Sequence, residues 1–183
     1  MTTALRIPGT HVHRATAASL PRIATILARA FHDDPLFRWA YPGDHRRAEA
    51  LPGVFSVYAG ALRRHEETYV AQGFGGVALW VPPGKPAIAD DEAGEFARRI
   101  AEAAGPEADR LFEVMELIEA HHPQSPSWFL HLLGVEPERQ GRGYGGTLLT
   151  KMLERLDRDG AAASLDATSV ERACASTSAT DSR

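Results

Sequence analysis

Residues 128–159 read WFLHLLGV (128–135), EPERQGRGYGG (136–146) and TLLTKMLERLDRD (147–159). The first block is a short apolar run with aromatics, which predicts a buried strand. The last block sets Leu148, Leu149, Met152, Leu153 and Leu156 on one helical face, with Lys151, Glu154, Arg155 and Arg158 elsewhere. Between them lies a glycine-rich turn. A turn of this kind opening a helix presents backbone N–H groups that have no intrahelical partner, and the helix dipole adds partial positive charge. Gly141, Gly143 and Gly145 let the backbone approach a ligand closely, and Arg139 and Arg142 add cationic charge. The block predicts a pyrophosphate cradle.

Three readings compete for this loop. In the plainest, a glycine-rich connection merely joins strand to helix. In the second, Gly141, Gly143 and Gly146 fit G-x-G-x-x-G, with Asp166 placed for a ribose. Against that dinucleotide reading, Glu136 to Gln140 separate the strand from the first glycine, and no room remains for the βαβ units that should follow. A nucleotide P-loop is excluded because no Gly-Lys-Ser/Thr follows. In the third, Gln140-x-x-Gly143-x-Gly145 after a strand ending in Gly134-Val135 resembles the coenzyme A loop of the GNAT superfamily of N-acetyltransferases. The resemblance is closest to the puromycin N-acetyltransferase-like branch, through Ala30-Phe31-His32-Asp33-Asp34-Pro35.

This resemblance implies an α/β (α+β) fold with a mixed, mostly antiparallel central sheet flanked by helices. It implies acetyl-CoA as cosubstrate and a small-molecule primary amine as acceptor, attacked directly. The pantetheine arm would follow Leu133, Gly134 and Val135, and the pyrophosphate would sit on the N–H groups of Gln140, Gly141, Arg142, Gly143, Tyr144 and Gly145. The amine must lose a proton before it attacks, so a general base or water chain is required. His131, in the middle of the strand and alternating with Leu130 and Leu132, is the candidate, with an ordinary pKa near about 6.5. Its other reading is a satisfied core histidine. Glu136 and Glu138 are expected to be solvated.

The rest of the chain predicts a strand over 11–15, a helix over 20–31 and a helix over 45–65 that Pro52-Gly53 should kink or split. A hairpin over 68–81 follows, then helices near 91–104 and up to 120, and a strand over 162–168. Residues 32–44, with Pro35, Pro42 and Gly43, read as a loop. Its aromatics are either a small apolar cluster or an acceptor wall, for which Phe31, Asp33, Asp34 and Trp39 are the candidates. His121-His122 does not make a metal site, since adjacent histidines point apart. A net charge of −4 over 183 residues gives no reason to invoke nucleic acid or an anionic membrane. The longest apolar runs fall short of a membrane span, and the start of the chain has no signal-like apolar region. The single Cys174 leaves no internal disulfide. The expectation is a cytoplasmic monomer or homodimer with no metal.

The domain is expected to span 11–169, after a loose lead-in over 1–10. Residues 170–183 lose all apolar pattern and read as a disordered tail. The resemblance implies a helix and two more strands there, so the C-terminal strands are apparently missing. The codons of residues 173–182, with each third base joined to the next two, can spell V-R-L-Y-E-R-H-G-F, the text the family carries at this place. A shifted reading frame after Arg172 therefore competes with a divergent native tail. In the family the tyrosine of that segment often serves as general acid toward the leaving thiolate. Two other functions stay open: a CoA-binding but impaired relative, and, more distantly, a dinucleotide-binding oxidoreductase.

Overall fold

The computed structural model describes residues 11–120 and 127–165. Five strands form one sheet in the order β1 (Val12–Arg14), β2 (Thr68–Ala71), β3 (Gly76–Val81), β4 (Trp128–Val135) and β5 (Ala163–Leu165). The first three pairings are antiparallel and β4–β5 is parallel. The mixed, mostly antiparallel sheet flanked by helices is as the sequence predicts. The lead-in, His121-His122, residues 166–168 of the strand expected over 162–168 and the whole tail lie outside the described residues.

Both faces of the sheet are covered, which is why β3 reads GVALWV with no polar alternation. Val77, Leu79 and Val81 point into the larger core, built with α1 (Leu20–Ala30), α3 (Asp44–Leu62), α4 (Ala93–Ala104) and α5 (Ala108–Ala120). Ala78 and Trp80 point to the other face, where α6 (Tyr144–Asp159) packs Leu148, Met152 and Leu156 against them. The apolar stripe read in residues 147–159 is that packing face.

Two expectations need correction. Residues 32–44 are not all loop, because Pro35–Ala40 form a short helix, α2. Asp34 caps it, its carboxylate accepting from the Leu36 N–H at 3.0 Å, and Pro35 fills the first position, where no N–H is needed. Nor is the 45–65 helix split, since α3 runs unbroken through Pro52. Proline removes the bond to the carbonyl four residues back. Here that residue is Ala48, which is exposed and lines a groove of about 270 Å³ together with Pro52.

Under α6 lies one buried carboxylate. Glu67, 8% exposed at its side chain, accepts from Arg155 Nη1 at 2.9 Å, from Arg14 Nη2 at 3.0 Å and from the Tyr69 hydroxyl at 2.7 Å. Arg155 also lies over Trp128, 4.6 Å from the ring centroid. A buried charge is tolerated only when it is paired and hydrogen-bonded. Glu67 meets that condition by joining β1, the start of β2 and α6.

Candidate active site

Among the described residues, strand β4 is paired on both sides over Phe129 and Leu130. Trp128, Phe129 and Leu130 face Ala163, Ser164 and Leu165 of β5. Beyond Leu130, among the described residues, β4 has a partner on the β3 side alone. Leu132 to Val135 pair with Leu79 to Gly76 of β3 and carry the strand to the glycine loop.

The register with β3 breaks at the same place. Leu79 faces Leu132 and Trp80 faces Leu130, so His131 is the extra residue of a β-bulge. A bulge redirects a side chain and interrupts strict alternation. Phe129 and Leu132 both belong to the larger core, and His131 joins them on that face, its ring 5.7 Å from Tyr58 of α3 and 5.8 Å from Phe129. The simple alternation expected of His131 between Leu130 and Leu132 does not hold. Tyr58 was legible in the sequence only as one more apolar position of a helix. Burial pushes its phenol above the usual range, and the nearby Glu119 carboxylate adds to this.

The strand leads into the glycine loop. Glu136 opens it with its N–H donating to the Gly75 carbonyl at 3.1 Å, a turn of 3₁₀ helix covers Pro137–Arg139, and Gln140 returns its side-chain amide to the Val135 carbonyl at 3.2 Å. Gly141 and Gly143 then take φ +71° and +86°, a region that residues with a Cβ rarely enter. Gly143 is the N-cap of α6, with no side chain closing the helix end. The first intrahelical bond is Thr147 N–H to the Gly143 carbonyl at 2.9 Å. The N–H groups of Tyr144, Gly145 and Gly146 precede it, at the positive end of a sixteen-residue helix. Arg142 is exposed beside them. A Cβ on Gly141 would meet nothing within 4 Å, so the space next to the loop is open.

The flanking acids are not simply solvated, as the sequence led us to expect. Arg29 of α1 approaches Glu136 at 3.3 Å and pairs with Glu138. Glu138's own backbone N–H and the Arg29 guanidinium hold its carboxyl below the usual range. The single Arg29 charge offsets part of the negative charge of these two carboxylates, which would otherwise repel an anion at the loop. Nothing in the sequence spacing links Arg29 to them.

The four acceptor candidates do not converge. Phe31 packs into a ring cluster with Phe37 and Phe55, at 5.9 and 5.4 Å. Asp34 is 1% exposed and caps α2, so its carboxylate is closed to an amine. Asp33 is exposed and lines the groove between α1 and α3 with Arg29, His32 and Pro137. Trp39 is 46% exposed and lies under Arg110 of α5, 4.7 Å from its ring centroid. Of all the sequence candidates, the structure brings together His131, Leu133 to Val135 of β4 and the glycine loop, in line along one strand–loop–helix unit. No group of three or more potential metal ligands occurs among the described residues, and no described helix is long and apolar enough to cross a membrane.

A strand, a glycine loop with two positive-φ glycines and a helix start that no side chain caps form one unit whose free N–H groups suit an anionic ligand. The model of the acetyltransferase (GNAT) family matches residues 86–175 of this chain. A histone acetyltransferase and related acetyltransferase from Corynebacterium glutamicum has 26% identity and a TM-score of 0.61, over 90% of this chain and 80% of that one. Arylalkylamine N-acetyltransferase 2 from Aedes aegypti has a TM-score of 0.66 at 16% identity, over 93% and 81%. The polyamine N-acetyltransferase of Drosophila melanogaster has 0.53 at 19%, over 90% and 78%. The last two are likenesses of fold. The family model over residues 86–175 and the shared fold make this chain similar to the GNAT acetyltransferases.

Proposed function

We propose that this protein transfers acetyl from acetyl-CoA to a primary amine of a small molecule, by direct attack of the amine. The observation supporting this is the succession along one strand–loop–helix unit of a bulged histidine, a glycine loop with two positive-φ glycines and an uncapped helix start. The residues present fit the cosubstrate. The backbone of Leu133, Gly134 and Val135 would hold its amide-bearing arm. The N–H groups from Gln140 to Gly145, with Arg142, would hold its pyrophosphate. When bound, acetyl-CoA supplies an acyl group already activated as a thioester.

The chain's own task is to deliver a neutral amine, because an ammonium has no lone pair. His131 is the base in this reading, since an imidazole changes charge near neutral pH. Tyr58 and Phe129 hold its ring from two sides. Asp33 and Trp39 are the acceptor-side candidates that remain accessible. A backbone N–H near the bulge would polarise the thioester oxygen. Relatives that share the fold act on arylalkylamines and polyamines by their names. A small amine is the acceptor we propose here too.

The test is release of CoA thiol from acetyl-CoA with a panel of primary amines. His131→Gln should lower kcat about a hundredfold near neutral pH and remove the acidic limb of the rate profile. No thiol release with any amine would sink the transferase reading, and an unchanged profile in His131→Gln would remove that residue from the role. The likeness to the puromycin-like branch and the shifted frame after Arg172 belong to the same proposal. The nucleotide sequence from the Thr168 codon onward tests the frame: a stop met at once in the shifted frame makes the tail native.

A further inference from the structure

The turn between β2 and β3 and the loop before α6 are interlocked. Gly75 sits at φ −73° and ψ −18°, a conformation open to any residue. What keeps a side chain out is space. An ideal Cβ on Gly75 would lie 2.1 Å from Tyr144 Cε1 and 2.4 Å from Cδ1, so the tyrosine ring rests on the Gly75 backbone. On its other flank, Arg139 Nη1 donates to the Tyr144 hydroxyl at 3.2 Å, with the guanidinium 5.4 Å from the ring centroid. The same Nη1 covers Gly73, where a Cβ would come within 3.2 Å of it. The Glu136 N–H bond to the Gly75 carbonyl completes the contact. The turn thus touches the loop at its entry, its middle and its exit, through residues 136, 139 and 144.

We infer that this interlock positions the cosubstrate loop, and that Gly75 and the Tyr144 ring are positioning residues for acetyl-CoA binding. The inference rests on the reading that the loop receives acetyl-CoA. Tyr144 is the first residue of α6, so wherever its ring is wedged, the first-turn N–H groups follow. Donors aimed at phosphate oxygens work only near about 3 Å, and a displacement of about 1 Å forfeits the bond. The ring acts through the helix start it fixes, without touching the ligand. Arg139, bonded to the tyrosine hydroxyl, braces the wedge.

The test is CoA affinity by calorimetry, read together with Tm. Gly75→Ala keeps an allowed backbone but must push the ring away, so Kd for CoA should rise about tenfold while Tm changes little. Tyr144→Ala removes the wedge itself and should also raise Kd about tenfold, and combining it with Gly75→Ala should add little, because both act on one contact. Tyr144→Phe adds no atom and breaks only the Arg139 bond; it should raise Kd about twofold, and it carries the test if Gly75→Ala does not fold. A fall in Tm with CoA affinity unchanged would make the interlock ordinary packing and overturn the inference, as would a double variant that binds CoA as tightly as wild type. If wild type binds CoA and Gly75→Ala and Tyr144→Phe bind it equally well, this inference alone falls. If wild type does not bind CoA, the functional reading falls first and takes this one with it.

Discussion

Two helices of this protein begin in opposite ways. Helix α2 closes its own start: Asp34 takes the Leu36 N–H, and Pro35 has no N–H to offer. Helix α6 leaves its start open, behind a glycine with no side chain to cap it. Helix starts in folded proteins are usually satisfied by side chains or water. The six-residue helix is sealed and walls the core, whereas the sixteen-residue helix that heads the loop is unsealed. Helices α1, α3 and α4 also lack a side-chain cap, so what sets the α6 start apart is the glycine loop ahead of it, with Gly141 and Gly143 at positive φ.

Closing the open start should have the largest effect. Gly143→Asp puts a carboxylate at the N-cap and a Cβ at φ +86°; strain of about 1 kcal/mol and repulsion of the pyrophosphate should together weaken CoA about a hundredfold. Calorimetry that finds less than a threefold loss would break the comparison. Opening the sealed start should have a smaller and different effect. Asp34→Ala should cost about 1–2 kcal/mol of stability in urea unfolding, with CoA affinity untouched. A weakened CoA affinity there would mean that α2 also serves the cosubstrate. The smallest effect should come from Arg142→Gln, which removes one exposed charge; CoA affinity should drop about threefold, with a shallower dependence on salt. An equally steep salt dependence would show that the charge plays no part.

The core of the site was legible because it is local. A strand, a glycine loop and an amphipathic helix follow one another in residues 128–159, and each declares itself by its own period or composition. Helix α2 was missed because six residues cannot display a helical period, and Pro35, Pro42 and Gly43 spoke for a loop. Its one signal was Asp34-Pro35, an N-cap followed by a first-turn proline. The unbroken α3 was misread because a mid-helix proline is ordinarily disruptive, and the open groove beside Ala48 cannot be seen in sequence. The bulge at His131 was invisible for a different reason. Register is set between strands, and β3 carries no mark that Leu79 and Trp80 will face residues two apart. Tyr144 resting on Gly75 is tertiary in the same sense. The tyrosine reads as part of the loop, and nothing in the β2–β3 turn announces what lies on it.

The carboxylate of Glu67 bears on how this molecule folds. Its partners Arg14 and Arg155 come from near the two ends of the described chain, and Tyr69 stands beside it. A chain that has docked α6 but not β1, or the reverse, holds Glu67 half-paired in a closing apolar layer. Leaving a buried charge without one of its partners costs about 3–5 kcal/mol. Partial docking is therefore penalised, and α6 and β1 should be gained and lost in one step. In hydrogen exchange, the middle of α6 and the β1–β2 ladder should open together as one cooperative unit. The helix that presents the open donors is then released only when the edge of the sheet is released with it.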